Sequence, residues 1–335
     1  MHLFGQEYSR KDLLRRCNPD ALFRARRIEL SDGRGRGQKL VEVKTSAGLR
    51  ATFSEDRCLD ILDLEYKGIN LSFLSKNGMI SSALTSPDTD SFTKYCSCGF
   101  LFTCGLRNTG PSCYVDGEYF PFHGRIGVTP AESVNVSINE NEIVVSGIVR
   151  ETALFGPCLE MRRKITIPSD GAKIVISDTI ENLTPETETI LFLYHINFGF
   201  PFLSEELEIE FPKGEVRGRN PFAQENLDNC AKISPPIDGE PEQVFFHLPE
   251  DKDAKVSLSN PRLGVRALIN FDTSNLPILT QWKSMRSGDY ALGIEPGNSF
   301  LRGRKEEIEN GYDIQLPGFG SLEYGFTINL EERRK

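Results

Sequence analysis

The sequence has no long apolar segment. Its longest apolar runs, at 143–145, 190–194 and 244–246, are no more than five residues long. A helix that crosses a bilayer needs about 20 apolar residues. The first residues carry scattered charges and lack the apolar core of a secretory signal. We therefore expect a chain that neither spans a membrane nor is exported.

Paired cysteine motifs are also missing. The eight cysteines are unevenly spaced, and none forms a Cys-x-x-Cys pair. Without an export signal, this usage favours reduced thiols and a cytoplasmic protein. One alternative is a zinc site built from the local group Cys96, Cys98, Cys104 and Cys113, but its spacing is unusual for zinc. We predict reduced thiols packed in strands, with no metal and no cofactor.

Positive charge is in the minority. Lys and Arg number 39 against 48 Asp and Glu, which gives a net charge of −9. An acidic chain repels nucleic acid and anionic membrane surfaces, so neither is an expected partner. The glycines at 33, 35 and 37 fit neither the dinucleotide fingerprint nor a phosphate-binding loop and indicate a turn.

The hydrophobic pattern changes near residue 21. Residues 1–20 form an extension with one short helix, for which Ser9 is the candidate N-cap. From residue 21 to 335, short stretches with a period of two recur, separated by turn residues at roughly ten-residue intervals. This rhythm predicts a single all-β domain of mostly antiparallel sandwich type. Clear examples are 142–149, 159–167 and 173–180.

Only four histidines are present, so each can be weighed. His2 is terminal, and His247 is expected either on the surface or packed within a strand. His123 stands in a tight Gly-rich loop where backbone can approach a ligand. His195 ends an apolar strand, and Glu295 ends another before Pro-Gly, where burial would raise its pKa toward that of a general base. Each of the last three has a structural alternative, namely a satisfied core histidine or a loop carboxylate.

Together and in this order, three segments resemble the active-site signatures of aldose 1-epimerases, the galactose mutarotase-like superfamily. They are Phe122-His123-Gly124-Arg125, Tyr194-His195-Ile196-Asn197-Phe198-Gly199 and Gly293-Ile294-Glu295-Pro296. Shorter segments, among them 56–61 and 281–285, resemble a divergent bacterial branch of that superfamily, and the resemblance extends from about residue 50 to the C-terminus. It implies a galactose mutarotase-like β-supersandwich.

The resemblance also implies a mechanism of acid/base ring opening. Glu295 would take the proton from the C1 hydroxyl of a cyclic aldose, His195 would protonate the ring oxygen, and His123 would hydrogen-bond beside it. Such chemistry needs no metal and no nucleotide.

Six further residues are candidates for binding the sugar, although packing on a surface or strand face is the alternative for each. They are Arg57, Arg125, Asn197, Trp282, Lys283 and Arg304. The family loop usually reads Leu-His-Gly-Gly, and the arginine that ends the loop here indicates an anionic sugar.

Two alternatives stay open at this point. The same geometry suits a lyase or hydrolase that acts on a modified sugar, and the scaffold also suits a non-catalytic carbohydrate-binding protein. The presence of Glu295 disfavours the binding protein, because binding alone needs no base. The expected partner is a small-molecule sugar, and the oligomeric state is left open, a homodimer included.

Overall fold

A computed structural model of the protein describes residues 1–3, 6–89 and 91–333. Four short α-helices occur among them: α1 (Arg10–Leu14), α2 (Phe92–Tyr95), α3 (Pro221–Glu225) and α4 (Arg304–Glu309). Single 3-10 turns lie at Pro19–Ala21, Gly33–Gly35, Ser82–Leu84, Ile126–Val128 and Leu227–Asn229. The remaining regular structure is β-strand.

The strands of the described residues follow one another along the whole chain. In order they are β1 (His2–Leu3), β2 (Gln6–Glu7), β3 (Arg24–Glu29), β4 (Lys39–Lys44), β5 (Leu49–Ser54), β6 (Ile61–Tyr66), β7 (Ile69–Asn70), β8 (Leu101–Cys104), β9 (Cys113–Val115), β10 (Glu118–Phe120), β11 (Glu132–Ile138), β12 (Glu142–Thr152) and β13 (Cys158–Pro168). They continue as β14 (Lys173–Asn182), β15 (Glu188–Ile190), β16 (Leu193–Phe198), β17 (Glu208–Glu210), β18 (Gly214–Gly218), β19 (Gln243–Pro249), β20 (Asp253–Asn260), β21 (Val265–Asp272), β22 (Ile278–Arg286), β23 (Asp289–Gly297), β24 (Ile314–Leu316) and β25 (Ser321–Glu332).

Three larger sheets form the body of the molecule. The eight-stranded sheet has the order β11-β12-β13-β14-β25-β21-β20-β17, and the six-stranded sheet has the order β18-β19-β22-β23-β16-β8. A five-stranded sheet, β3-β4-β5-β6-β7, lies in the N-terminal part, and three two-stranded ribbons complete the set. Neighbouring strands are antiparallel, as in β12 with β13 and β22 with β23. The predicted all-β, mostly antiparallel fold is confirmed.

The core lies between the sheets and follows from alternation along the strands. In β12, Ile143, Val145, Gly147 and Val149 are buried, and the residues that alternate with them are partly exposed. The three aliphatic side chains join one apolar cluster with Ile196 of the six-stranded sheet and Leu64 of the five-stranded sheet. Successive strand residues point to opposite faces, so β12 places every second side chain in this core.

The predicted N-terminal helix is present as α1. Ser9 accepts a hydrogen bond from the N–H of Asp12, and the Asp12 carboxylate accepts one from the N–H of Ser9. This capping box fixes where the helix begins. The division into an extension, residues 1–20, and one domain, residues 21–335, stays a prediction. None of the helices in the described ranges is long and apolar enough to cross a bilayer.

Candidate active site

The candidate site begins with two neighbouring strands of the six-stranded sheet. Tyr194 and Ile196 of β16 point into the core, so His195 between them points to the opposite face. Ile196 pairs with Ile294 of β23, a register that puts His195 opposite Glu295. The two side chains meet there, with His195 Nε2 3.2 Å from Glu295 Oε1.

Both residues lie inside their strands, which differs from the strand ends predicted from the sequence. β23 continues through Pro296 to Gly297 instead of ending at Glu295. The pairing of β16 with β23 is interrupted at Tyr194 and His195. Proline has no N–H to donate to a ladder, which accounts for an interruption at this point.

Glu295 has an unusual environment for a carboxylate. It is completely buried, and neither carboxylate oxygen accepts a hydrogen bond from the described residues. Burial raises the pKa of Glu295 well above its ordinary value, while the positive charge of Arg219 opposes the rise and Glu242 adds to it. A buried carboxyl with unused acceptors is suited to exchange a proton with a bound hydroxyl.

Gly293 makes room for this carboxylate. It lies two residues before Glu295 and therefore on the same face of β23. A Cβ atom at position 293 would lie 2.3 Å from Glu295 Oε1 and 3.0 Å from the Cβ of Trp282. The alternation of strand faces could have singled out Gly293 from the sequence as the residue beneath Glu295.

His195 shares the burial of its partner. Its side chain is 16% exposed, and burial lowers its pKa to about 4, although the Asn197 side chain and the charge of Glu242 act in the opposite direction. Burial thus disfavours the charged form of each group, the imidazolium of His195 and the carboxylate of Glu295. With both groups uncharged, the pair holds one proton, which can be transferred between them.

His123 approaches the pair from the loop after β10. Its backbone has φ +59°, and its N–H donates to the carbonyl of Gly110 at 2.9 Å. The N–H of Gly110 in turn donates to His123 Nδ1 at 3.3 Å, which assigns the proton of the neutral ring to Nε2. Burial, helped by His195 and Arg219, keeps the pKa of His123 well below its ordinary value. The centroids of the His123 and His195 rings are 5.7 Å apart.

Trp282 and Asn197 are the predicted sugar-binding residues that the structure brings to this cluster. The Trp282 ring lies 5.5 Å from the His195 ring, and its Nε1 donates to Glu242 at 2.9 Å. Asn197 donates to the carbonyl of His195 at 3.1 Å, and its own amide oxygen is buried without a hydrogen-bond partner among the residues that the structure describes.

Two polar residues of this region carried no signal in the sequence. Arg219 donates to Glu242 at 2.6 Å, and its N–H donates to the carbonyl of Val244. The charges of both affect the pKa values of the cluster. They lie 23 positions apart and meet through the pairing of β18 with β19, which the sequence does not reveal.

The other four predicted sugar-binding residues are engaged elsewhere. Arg57, Arg125, Lys283 and Arg304 make no hydrogen bond or ion pair with His195 or Glu295 within the described ranges. Lys283 also follows Trp282 in β22 and so points to the opposite face of the sheet. Their role in sugar binding stays a prediction. Arg57 binds Ser97, Arg125 pairs with Asp88 and Glu151, Lys283 donates to the carbonyl of Asn229, and Arg304 pairs with Glu188.

All eight cysteines are free thiols. Across the described ranges, no three or more His, Cys, Asp and Glu side chains are grouped so that they could hold a metal ion.

Comparison with known proteins assigns the chain to a family. Residues 35–330 match the model of a domain of unknown function, DUF4432. The chain belongs to the DUF4432 family. No curated protein matches it.

Solved structures with a similar fold agree with the resemblance found in the sequence. A Klebsiella pneumoniae protein provisionally assigned as an aldose 1-epimerase is 24% identical, with a TM-score of 0.86 over 93% of this chain and 84% of that one. A galactose mutarotase-like protein from Clostridium acetobutylicum is 13% identical, with a TM-score of 0.67 over 93% and 99% of the two chains. Galactose 1-epimerase from Lactobacillus acidophilus is 10% identical, with a TM-score of 0.62 over 93% and 100%. At these identities the likeness shows the fold, a galactose mutarotase-like β-supersandwich, which is the fold that the resemblance in the sequence implied.

Proposed function

We propose that the protein interconverts the anomers of an aldose by acid/base ring opening. The observation that carries the proposal is the contact between His195 Nε2 and Glu295 Oε1, at 3.2 Å, beside the ring of His123. The two oxygens that exchange protons in mutarotation, O1 and the ring oxygen O5, are both bonded to C1. An acid and a base that serve them must therefore lie side by side, as these two do.

The single proton held by the pair is enough for the reaction. In ring opening, Glu295 accepts the proton of the C1 hydroxyl while His195 delivers one to O5, and the C1–O5 bond breaks to give the aldehyde. The pair then holds its proton on Glu295 rather than on His195. Rotation about C1–C2 and closure in reverse return the proton and give the other anomer. No proton has to enter from solvent.

Binding of the sugar favours the reactive form of the pair. Burial disfavours carboxylate and imidazolium alike. The C1 hydroxyl would donate to Glu295 oxygens that accept no hydrogen bond from the described residues, and this bond stabilises the carboxylate. His123, with its proton on Nε2, supplies a neutral donor for O5 or a neighbouring hydroxyl. The Trp282 ring offers an apolar surface for one face of the pyranose.

The proposed substrate is a small-molecule aldose. The narrower proposal, from the sequence, is that this aldose carries a negative charge. Arg125, which suggested the anion, is paired with Asp88 and Glu151. Arg219 is the cation whose charge affects the pKa values of both His123 and Glu295. Neutral and acidic sugars should therefore be compared directly.

Anomer-exchange NMR on a panel of neutral and acidic aldoses tests the proposal. The wild-type protein should accelerate exchange of at least one sugar, and Glu295→Gln and His195→Asn should each slow it by about 10²- to 10⁴-fold. His247→Asn is the matched control, because His247 is also buried and its pKa is also lowered to about 4. In the pairing of β19 with β22, His247 lies opposite the core residue Leu279, so its side chain is on the other face of the sheet from Glu295.

Two results would contradict the proposal. Exchange rates equal to the buffer rate for every sugar would remove mutarotation, and binding without turnover would then favour a carbohydrate-binding protein. An unsaturated or cleaved product that requires Glu295 would instead identify a lyase or hydrolase.

A further inference from the structure

A pair of cysteines lies in the turn that joins α2 to β8. The sulfur atoms of Cys96 and Cys98 are 3.6 Å apart, and the N–H of Cys98 donates to Cys96 Sγ at 3.3 Å. Cys98 has φ +58°, a left-handed conformation that is uncommon for a residue with a side chain. The turn thus directs both thiols toward each other. Formation of a disulfide, with an S–S bond of about 2.05 Å, requires the sulfurs to approach by only about 1.5 Å.

A buried cation lies beside this pair. Arg57 donates from Nη1 to the hydroxyl of Ser97, the residue between the two cysteines, at 2.7 Å. Its Nη2 donates to the carbonyl of Tyr95 at 3.5 Å, and its Nε is buried without a hydrogen-bond partner in the described residues. A guanidinium that keeps an unused donor next to two sulfurs stabilises a thiolate.

The two thiols are not equivalent. The pKa of the Cys96 thiol lies below its ordinary value, chiefly because the Cys98 thiol hydrogen-bonds to it and because Arg57 adds positive charge, although burial opposes the shift. The same hydrogen bond and burial raise the pKa of Cys98. The backbone N–H of Cys98 also donates to Cys96 Sγ and stabilises a thiolate there, so Cys96 is the nucleophile of the pair and Cys98 is the thiol that resolves the intermediate.

We propose that Cys96 and Cys98 form an oxidisable dithiol that a hydroperoxide converts into an intramolecular disulfide. The oxidant must be small, because Cys96 is only 6% exposed and its sulfur is accessible only to small molecules. A bulky disulfide cannot align its S–S bond with the Cys96 sulfur as exchange requires, whereas hydrogen peroxide is close to water in size.

The reaction balances with peroxide as the sole oxidant. The Cys96 thiolate attacks one peroxide oxygen, the O–O bond breaks, and a sulfenic acid forms while the other oxygen leaves as water after taking a proton. Cys98 sulfur then attacks the sulfur of Cys96, the S–O bond breaks, and the hydroxyl leaves with the Cys98 proton as a second water. Two thiols are oxidised by two electrons, and one peroxide is reduced to two waters.

The dithiol adjoins the candidate active site without belonging to its chemistry. The N–H of Cys96 donates to the carbonyl of Phe92, whose ring lies 5.6 Å from the His123 ring. The carbonyl of Gly99, next to Cys98, accepts from the amide of Asn197 at 3.1 Å. The reaction of the dithiol does not depend on whether the protein is a mutarotase.

Intact-mass spectrometry after brief treatment with hydrogen peroxide tests the proposal. The wild-type protein should lose about 2 Da, and peptide mapping should place the disulfide between Cys96 and Cys98. Dithiothreitol should reverse the change. In Cys98→Ser, which lacks the resolving thiol, Cys96 should be trapped by dimedone as a sulfenic acid.

Matched variants keep the test decisive. Cys113→Ser removes a partly exposed cysteine outside the pair and should leave the 2 Da loss unchanged. In Cys96→Ser, Cys98 should react at least about tenfold more slowly than Cys96 does in Cys98→Ser, because the backbone N–H of Cys98 donates to the sulfur of Cys96 and stabilises a thiolate only there. Thermal melting checks that each variant is folded. Mass gains from added oxygen in the wild type, with no 2 Da loss, would overturn the proposal, as would a disulfide between any other pair.

Discussion

Replacing Gly293 with alanine tests whether the Glu295 carboxylate must lie where the structure places it. The new Cβ would be 2.3 Å from Glu295 Oε1, well inside van der Waals contact. Gly293 lies within β23 and lacks a left-handed φ, so alanine adopts its backbone conformation without strain. The carboxylate, the free end of a flexible side chain, must therefore yield.

The size of the effect follows from that distance. A carbon–oxygen contact needs about 3.3 Å, so the carboxylate must move by about 1 Å. A displacement of this size at a reacting group can reduce the rate about 10²-fold. The stability should fall by about 1–3 kcal/mol, because the new Cβ would also lie 3.0 Å from the Cβ of Trp282, which the strand backbone holds in place.

The assay is anomer-exchange NMR on the most active sugar, together with urea unfolding. Gly147→Ala is the control. Gly147 lies in β12 of the eight-stranded sheet, and a Cβ there would lie 2.8 Å from the end of the Leu59 side chain, away from the candidate site. The reasoning is refuted if Gly293→Ala keeps wild-type activity, or if both variants lose activity to the same extent.

Two further predictions concern buried charge. Burial lowers the pKa of His247 to about 4, so on acidification the unfolded chain binds a proton near pH 6.5, before the folded protein does. Between pH 6.5 and pH 4 the unfolding free energy of the wild type should therefore fall by about 3 kcal/mol more than that of His247→Gln. Urea unfolding of both proteins at the two pH values measures this difference. Arg163, fully buried, pairs with Asp60 and Asp178 at 2.7 Å each, so Arg163→Met should lower the unfolding free energy by about 3–5 kcal/mol. Arg162→Met, at a side chain that is 53% exposed on the same strand, should lower it by less than about 1 kcal/mol, and equal losses in the two arginine variants would contradict the argument.

The strands were predictable because their signal is local. The segment 142–149 alternates between buried and partly exposed side chains, and it became β12, longer by three residues at its C-terminal end. The N-cap at Ser9 was equally readable, since a capping residue acts within one helical turn. The errors concern strand ends, as at Glu295, where Pro296 suggested a loop but β23 continues through it. A neighbouring strand holds that segment extended, and the local sequence does not show which strand that is.

The candidate site was predictable only in part. His123, His195 and Glu295 were identified by residue type and motif, and the structure brings all three together. The sugar-binding candidates were chosen by side-chain chemistry within the segments that carry the resemblance. Arg57 and Arg304 are held by protein partners, because a buried guanidinium requires hydrogen bonds wherever it lies.

By itself the sequence determined the antiparallel all-β architecture and the residue types available for chemistry, because periodicity and composition act over a few residues. Only the tertiary structure decided that His195 and Glu295, 100 positions apart, lie opposite each other at 3.2 Å. It also decided that Arg219 and Glu242 flank them and that Gly293 leaves space for the carboxylate. These positions depend on strand register, and a shift of one residue would turn every side chain of a strand to the other face. Register is set by packing of the whole sheet against the core, so no single segment contains it.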